Sequence, residues 1–295
     1  MNPPPSLTID LIVLAGGRGS RLGGVLKPAV EVAGRTLLSR VLDARPVARY
    51  TVVVGPPAAQ PAAGTPPFAA QPAAGTPPFA AHPAPSTSAP ASEPVSEPAP
   101  DLGSPATVAA AAALPAAGSA TPSALIWALE DPPFGGPVAG IAAGLAALAT
   151  HSAAQGATHG DMNIEANGEA NVDEPATWLL VLACDLPWGA DAARLLVTAA
   201  SALEKIGEQT DGVHLTDYTG HAQWLAGIYR APALRAAVDR LGDRVNGASM
   251  RDLLSGLKLM GLMDESETGV DVDTWQDVDS STARLTGVPE VRPEE

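Results

Sequence analysis

An open, mostly parallel α/β sheet is the fold this sequence predicts, and three observations predict it. The apolar run Asp10 to Leu14 passes directly into the glycine-rich stretch Ala15 to Gly24. A helix-patterned segment, Thr36 to Ala44, is then followed by the Val-rich run Tyr50 to Gly55. Further along, Trp178 to Ala183 is apolar without alternation, as a central strand buried on both faces should be. Strand, loop, helix and strand in that order imply parallel strands joined by crossovers.

The remaining elements extend one doubly wound domain over residues 7–290. Ala124 to Leu129 reads as a strand, Pro132 to Pro137 as a loop and Val138 to Thr150 as an Ala-rich helix. After the central strand come a helix at Ala190 to Ile206 and strands near Val213 to Thr216 and Trp224 to Tyr229. Helices at Pro232 to Leu241 and Met250 to Leu257, a strand at Lys258 to Met263 and a helix at Trp275 to Leu285 complete the set. Two insertions interrupt it. Residues 56–122 hold about half of the chain's 30 prolines and repeat Gln60 to Ala70 without change as Gln71 to Ala81. That composition predicts disorder, and two short copies are too few to stack as a solenoid. A second, polar insertion is expected over 152–175, and flexible ends over 1–6 and 291–295.

Composition narrows the function classes. A formal net charge of -15 over 295 residues argues against a nucleic-acid or anionic-membrane partner, both of which require a basic face. Residues 1–49 run against that trend, with seven basic side chains to three acidic ones, which suits a small anionic ligand near the N-terminus. The single cysteine, Cys184, excludes an internal disulfide and a Cys-rich zinc site. With Pro3, Pro4 and Pro5 where a signal peptide would be apolar, the expected location is the cytoplasm.

The chemistry-bearing residues fall at strand ends. In an open α/β sheet, ligands collect at the carboxyl ends of the strands, so the loop after the first strand and Asp185 after the central one should face a single crevice. Glycines let backbone N–H groups approach phosphate oxygens, and Arg21 and Lys27 carry charge suited to a triphosphate. The loop is not a Walker motif, because Pro28 follows Lys27, nor the dinucleotide fingerprint, because Leu22 stands where the third glycine belongs.

The stretch Leu14-Ala15-Gly16-Gly17-Arg18-Gly19-Ser20-Arg21-Leu22-Gly23-Gly24-Val25-Leu26-Lys27 resembles the signature of the MobA-like nucleotidyltransferases, with Leu22 in place of a methionine. Gly136-Pro137-Val138-Ala139-Gly140 is similar to the GPLAG segment of the molybdenum cofactor guanylyltransferase branch, and Glu130-Asp131 to an acidic pair that helps bind the nucleotide there. The resemblance implies a nucleotide-diphospho-sugar transferase type of sheet and a magnesium-dependent transfer of GMP from GTP to a phosphorylated acceptor such as molybdopterin. It assigns catalysis to Lys27, Arg21 and Asp185. Nucleotide binding falls to Leu14, Ala15, Gly16, Gly17, Arg18, Lys27, Asp131, Gly136, Pro137 and Asp185. Asp185 with Asp273 or Asp271 would hold Mg2+, and partners in cofactor biosynthesis or molybdoenzymes are expected. Two aspartates at 271 and 273 are more like the cytidylyltransferase branch, so transfer of CMP, transfer to a sugar phosphate and a non-catalytic NTP-binding module stay open. Arg230, Arg244 and Arg251 are further candidates for the acceptor phosphate.

Overall fold

The apolar runs become strands covered on both faces. A computed structural model describes residues 7–16, 20–56, 59, 124–159 and 176–287. In chain order the elements are β1 (Ile9–Leu14), β2 (Glu31–Val32), β3 (Arg35–Thr36), α1 (Leu37–Val41), β4 (Tyr50–Val54), β5 (Ala124–Ala128) and α2 (Pro137–His159). There follow β6 (Trp178–Ala183), α3 (Gly189–Ile206), β7 (Gly212–Thr216), β8 (Ala222–Arg230), α4 (Ala231–Leu241), α5 (Met250–Leu254), β9 (Leu259–Met263) and α6 (Trp275–Thr286).

Seven strands form one sheet in the order β5-β4-β1-β6-β8-β7-β9, while β2 and β3 make a separate small hairpin. All neighbours are parallel except β8, which runs antiparallel to both β6 and β7. The sheet is therefore mixed but mostly parallel, as expected. Alternate residues of each strand feed two cores. Leu11, Val13, Leu180 and Leu182 pack with Leu38 and Val41 of α1 and with Ala192, Leu196 and Leu203 of α3. Ile12, Val52, Leu179 and Val181 pack with Ile141 and Leu145 of α2, Leu234 of α4 and Leu253 of α5. Each fully buried Leu, Ile or Val contributes about 1.5–3 kcal/mol over its exposed state, so these two layers dominate the stability.

A carboxylate breaks the apolar rule inside β1. Asp10 is buried inside β1, and Arg49 forks onto both its carboxylate oxygens at 3.0 and 3.1 Å. A bidentate pair of this kind satisfies the charge that burial would otherwise strand. Asp10 is therefore an interior residue of the strand, which begins one residue earlier than the sequence suggests.

The helix after β5 also differs from expectation. It continues to His159, across the start of the polar insertion expected at 152–175, because Ala153, Ala154 and Gln155 are good helix formers. Residues 160–175 lie outside the described residues, as do both termini and, apart from Pro56 and Ala59, the Pro/Ala-rich insertion with its tandem repeat. By length and composition α2 is apolar enough to cross a membrane. Its Val138, Ile141, Leu145 and Leu148 face nevertheless packs on the sheet, which accounts for the apolar composition.

Candidate active site

The site forms where the carboxyl ends of β1, β4, β5 and β6 meet, and a third, small core fixes it there. Leu22, Val30, Val32 and Leu37 from the segment after β1 pack against Val272 and Val278 from the C-terminal segment and α6. Leu22 is 1% exposed, so it is an apolar anchor for this segment. Gly23 and Gly24 follow at φ +76° and +82°, a turn that residues with a Cβ rarely adopt, and the chain then enters the short 3-10 turn that begins at Lys27.

That packing brings residues far apart in sequence into contact. Lys27 Nζ donates to Asp185 Oδ2 at 2.8 Å and also to Asp273 Oδ1. Arg21 Nη1 donates to the other oxygen of Asp273 at 3.0 Å. Lys27 and Asp185 are each only 15% exposed at the side chain, whereas Arg21 is 72% exposed. Burial by itself would lower the Lys27 pKa, but the carboxylates of Asp185 and Asp273 outweigh it and raise it. The ammonium is therefore charged at any physiological pH.

Asp185, Asp271 and Asp273 each present a carboxylate oxygen within 4.8 Å of the others. Desolvation and then the charges of Asp185 and Asp273 push the Asp271 carboxyl above its ordinary value. Asp185 Oδ1 is buried and has no hydrogen-bond partner among the described residues. A buried carboxylate oxygen without a donor, beside two more carboxylates, is what a hard divalent cation such as Mg2+ would satisfy, so the donor set fits that ion. Two backbone features hold the trio. Val272 N–H donates to the Asp185 carbonyl at 3.0 Å. Asp277 Oδ2 accepts from the N–H groups of Asp273 and Thr274 at 2.9 and 2.7 Å, and completes a capping box with the Thr274 hydroxyl at the start of α6.

Two pockets flank Asp185. The larger, about 400 Å³, is lined by Leu14, Gly16, Gly55, Glu130, Gly136 and Pro137, among others, and reaches Ala183 and Asp185. The second, about 270 Å³, lies toward β8 and is lined by Trp224, Leu225, Met250, Gly269 and Asp271, again reaching Ala183 and Asp185. Gly55 has no room for a side chain, since a Cβ there would stand 2.9 Å from the Ala15 backbone.

The sequence-predicted residues Leu14, Gly16, Lys27, Gly136, Pro137, Asp185, Asp271 and Asp273 are thus gathered around one crevice, with Ala15 buried directly behind it. Gly17 and Arg18 lie outside the described residues. Asp131 is exposed and does not line the larger pocket; its neighbour Glu130 does, because the Glu130 carboxylate turns inward to accept the Gly135 N–H at 2.9 Å. Arg230 is turned away from the crevice, pairing with Glu204 at 2.8 Å over the Trp178 ring. Asp277 is a site residue that sequence reasoning misses, although the spacing Thr-x-x-Asp at the start of a helix is a capping signal that marks it.

Residues 11–111 match the family model of the MobA-like NTP transferase domain. No curated protein matches the chain in sequence. Similar solved structures include Rv0371c from Mycobacterium tuberculosis H37Rv, at 16% identity and TM-score 0.48, covering 94% of this chain and 98% of that one. Another is 2-C-methyl-D-erythritol 4-phosphate cytidylyltransferase from Thermus thermophilus, at 13% identity and TM-score 0.47, covering 95% of this chain and 100% of that one. The family match overlies β1, the glycine-rich loop and Lys27, and the chain therefore carries a nucleotidyltransferase domain.

Proposed function

We propose that this nucleotidyltransferase moves GMP from GTP onto a phosphorylated acceptor, molybdopterin being the acceptor that the guanylyltransferase-like segment Gly136 to Gly140 favours. The observation that carries the reading is the position of Asp185, paired to Lys27 at 2.8 Å and shared by two adjoining pockets. Two substrates lying one in each pocket would meet at that carboxylate. The larger pocket has the size of a nucleoside site. The smaller offers Trp224 and Met250 as apolar walls for the body of an acceptor.

In this reading a phosphate oxygen of the acceptor attacks the α-phosphorus of the NTP in line. A new P–O bond forms, the bond between the α-phosphorus and its bridging oxygen breaks, and pyrophosphate leaves with the electron pair. Lys27 contributes a fixed positive charge beside the reacting phosphate, and Arg21 one at the more open edge of the crevice. Gly16 and its loop allow backbone N–H groups to approach phosphate oxygens without a Cβ in the way. Asp185, Asp273 and Asp271 would hold Mg2+, which would supply positive charge to offset that of the triphosphate. The fixed residues gain by being in place before the charge develops, because no reorganisation is needed at the moment of reaction.

The test is thermal stability with GTP, CTP, ATP and UTP, each with and without Mg2+, since a ligand that binds only the native state raises stability by RT ln(1 + [L]/Kd). The expected result is a Mg2+-dependent shift with GTP and, in the assay that follows, release of pyrophosphate only when the acceptor is present. A shift with CTP instead would overturn the base assignment and give weight to the paired aspartates at 271 and 273. No shift with any nucleotide would overturn the catalytic reading.

A further inference from the structure

One edge of the sheet is open and unguarded. Among the described residues β9 pairs with β7 alone. The Lys258 carbonyl accepts the Asp211 N–H at 2.7 Å, and the Asp264 N–H donates to the Thr216 carbonyl at 2.9 Å. Alternate residues between them, Met260 and Leu262, therefore turn their backbone groups toward β7, and those of Leu259, Gly261 and Met263 point out of the sheet. None of the 5 residues of β9 is buried, and Met263 is 46% exposed. Between Leu259 and Met263 there is no lysine, no proline and no break in the register with β7, the devices that usually blunt an open edge.

Other segments of the chain are ill suited to cover that edge. Residues 288–295 carry Pro289 and Pro293, and residues 1–6 carry Pro3, Pro4 and Pro5, none of which can donate to a ladder. The Pro/Ala-rich insertion joins β4 to β5, at the opposite edge of the sheet. Residues 160–175 are rich in Gly, Asn and acidic side chains, which strands disfavour. The sequence of β9, by contrast, is complementary to itself when reversed, with Gly261 at its centre.

We propose that β9 pairs antiparallel with β9 of a second copy of this chain, about a two-fold axis at Gly261, so that two sheets join into one. About that axis Leu259 stands opposite Met263 of the second copy, and Gly261 opposite its own equivalent. Every outward N–H then meets an outward carbonyl. The side chains match in the same register. Leu259 lies against Met263 on one face and Met260 against Leu262 on the other, which covers the apolar surface that β7 leaves open. Charge sets the direction. Lys258, with a side chain 66% exposed, precedes the strand, and Asp264 and the exposed Glu265 follow it. Antiparallel pairing brings the lysine of each copy beside the acids of the other, whereas parallel pairing would place like charges side by side. The edge also adjoins the second pocket. Asp264 Oδ2 accepts the Gly269 N–H at 2.6 Å, and Gly269 lines that pocket, so pairing at β9 steadies one of its walls. None of this depends on which nucleotide is transferred.

The test is sedimentation velocity with hydrogen exchange, on the full chain over roughly 1–100 μM. A short edge makes a small interface, so the expected result is a reversible dimer that gains population with concentration. The amides of Leu259, Gly261 and Met263 should become protected over the same range. Met263→Pro removes only an N–H that points outward and leaves the pairing with β7 in place. It should weaken the dimer about thirtyfold, the effect of one lost hydrogen bond on each side of the axis. Met263→Lys, which introduces no backbone change, should weaken it as well and serves where the proline variant fails to fold. A wild-type chain that stays monomeric up to about 100 μM would overturn the proposal. So would a dimer that Met263→Lys leaves as tight as wild type, since another surface would then hold it. Protection of the three amides that is independent of concentration would overturn it too, by showing that a segment of the same chain covers the edge.

Discussion

The backbone N–H of Val272 donates to the carbonyl of Asp185 at 3.0 Å, and through this bond the C-terminal segment lies alongside the end of β6. Val272 is also fully buried against Leu22 and Val30, so the same residue ties the Lys27 segment to both aspartate-bearing segments. The positions of Lys27, Asp185 and Asp273 are thus set by packing outside the crevice. Lys27→Ala or Asp185→Ala should then leave the fold intact and lower turnover about a hundredfold or more, the usual consequence of losing one preorganised electrostatic contact. Steady-state kinetics beside a far-UV spectrum checks this, and undiminished turnover in either variant would remove the residue from the catalytic group.

Lys27 also neutralises carboxylates. Its loss leaves Asp185, Asp271 and Asp273 mutually repelling within 4.8 Å, with the exposed Arg21 as the remaining cation paired to Asp273 among the described residues. Lys27→Ala should therefore gain more in Tm from added Mg2+ than the wild type does, even as its turnover falls. A smaller Mg2+ shift in the variant would show that the three aspartates do not act together as a cation site.

Asp277 offers a test of positioning without touching the crevice. Its carboxylate receives the N–H groups of Asp273 and Thr274 and caps α6. Asp277→Ala should cost about 1 kcal/mol of stability, the typical value for a lost N-cap interaction. More specifically, it should raise the Mg2+ concentration needed for half-maximal turnover several-fold, because Asp273 loses the bond that fixes its backbone. Stability loss with an unchanged Mg2+ requirement would make the capping box purely structural.

Much of this arrangement is legible in the sequence, and the exceptions have physical causes. The strands β1, β4 and β6 declare themselves because burial on both faces demands uninterrupted apolar runs. The hairpin of β2 and β3 does not, since two residues per strand carry no periodicity. Nor does the reversed direction of β8, because the side chains of a buried strand read the same in either orientation. The places of Lys27 in the segment that follows β1 and of Asp185 just after β6 predict a shared crevice, but their direct bond depends on Leu22 and Val272, which look like ordinary apolar residues in isolation. The choice between Glu130 and Asp131 hinges on the turn through Phe134 to Gly136, where φ is positive at Phe134 and Gly136, and neighbouring acids in a sequence give no sign of which one turns inward.

His214 predicts the acid limit of the fold. It is buried in β7 between Gly227 of β8 and Gly261 of β9, its Nδ1 has no hydrogen-bond partner among the described residues, and burial lowers its pKa from 6.5 to about 4. A depressed histidine pKa means that the unfolded chain takes up the proton first. Stability from this group is therefore fully present above pH 6.5 and is lost as pH falls toward 4, by up to on the order of 3 kcal/mol. Over this window His214→Leu should show a shallower fall in Tm than wild type. Parallel curves for the two proteins would mean that another group governs acid unfolding.

The long insertion sits in a crossover, and that location predicts how far it can be shortened. β4 and β5 are parallel neighbours, with Tyr50 opposite Ala124, so the chain leaving Val54 must return along the whole strand before β5 begins. Parallel strands need roughly a dozen connecting residues for this, far fewer than the segment from 60 to 122 supplies. Replacing residues 60–122 with about twelve Gly and Ser residues should preserve β5, the larger pocket and nucleotide-dependent turnover. It should also raise stability by about 1 kcal/mol, because each halving of a loop recovers about 0.6 kcal/mol of closure entropy. Calorimetric Tm and turnover of the shortened chain decide the matter. If turnover collapses while Tm holds, the insertion contributes to the site itself, and a crossover of bare length is not enough to build it.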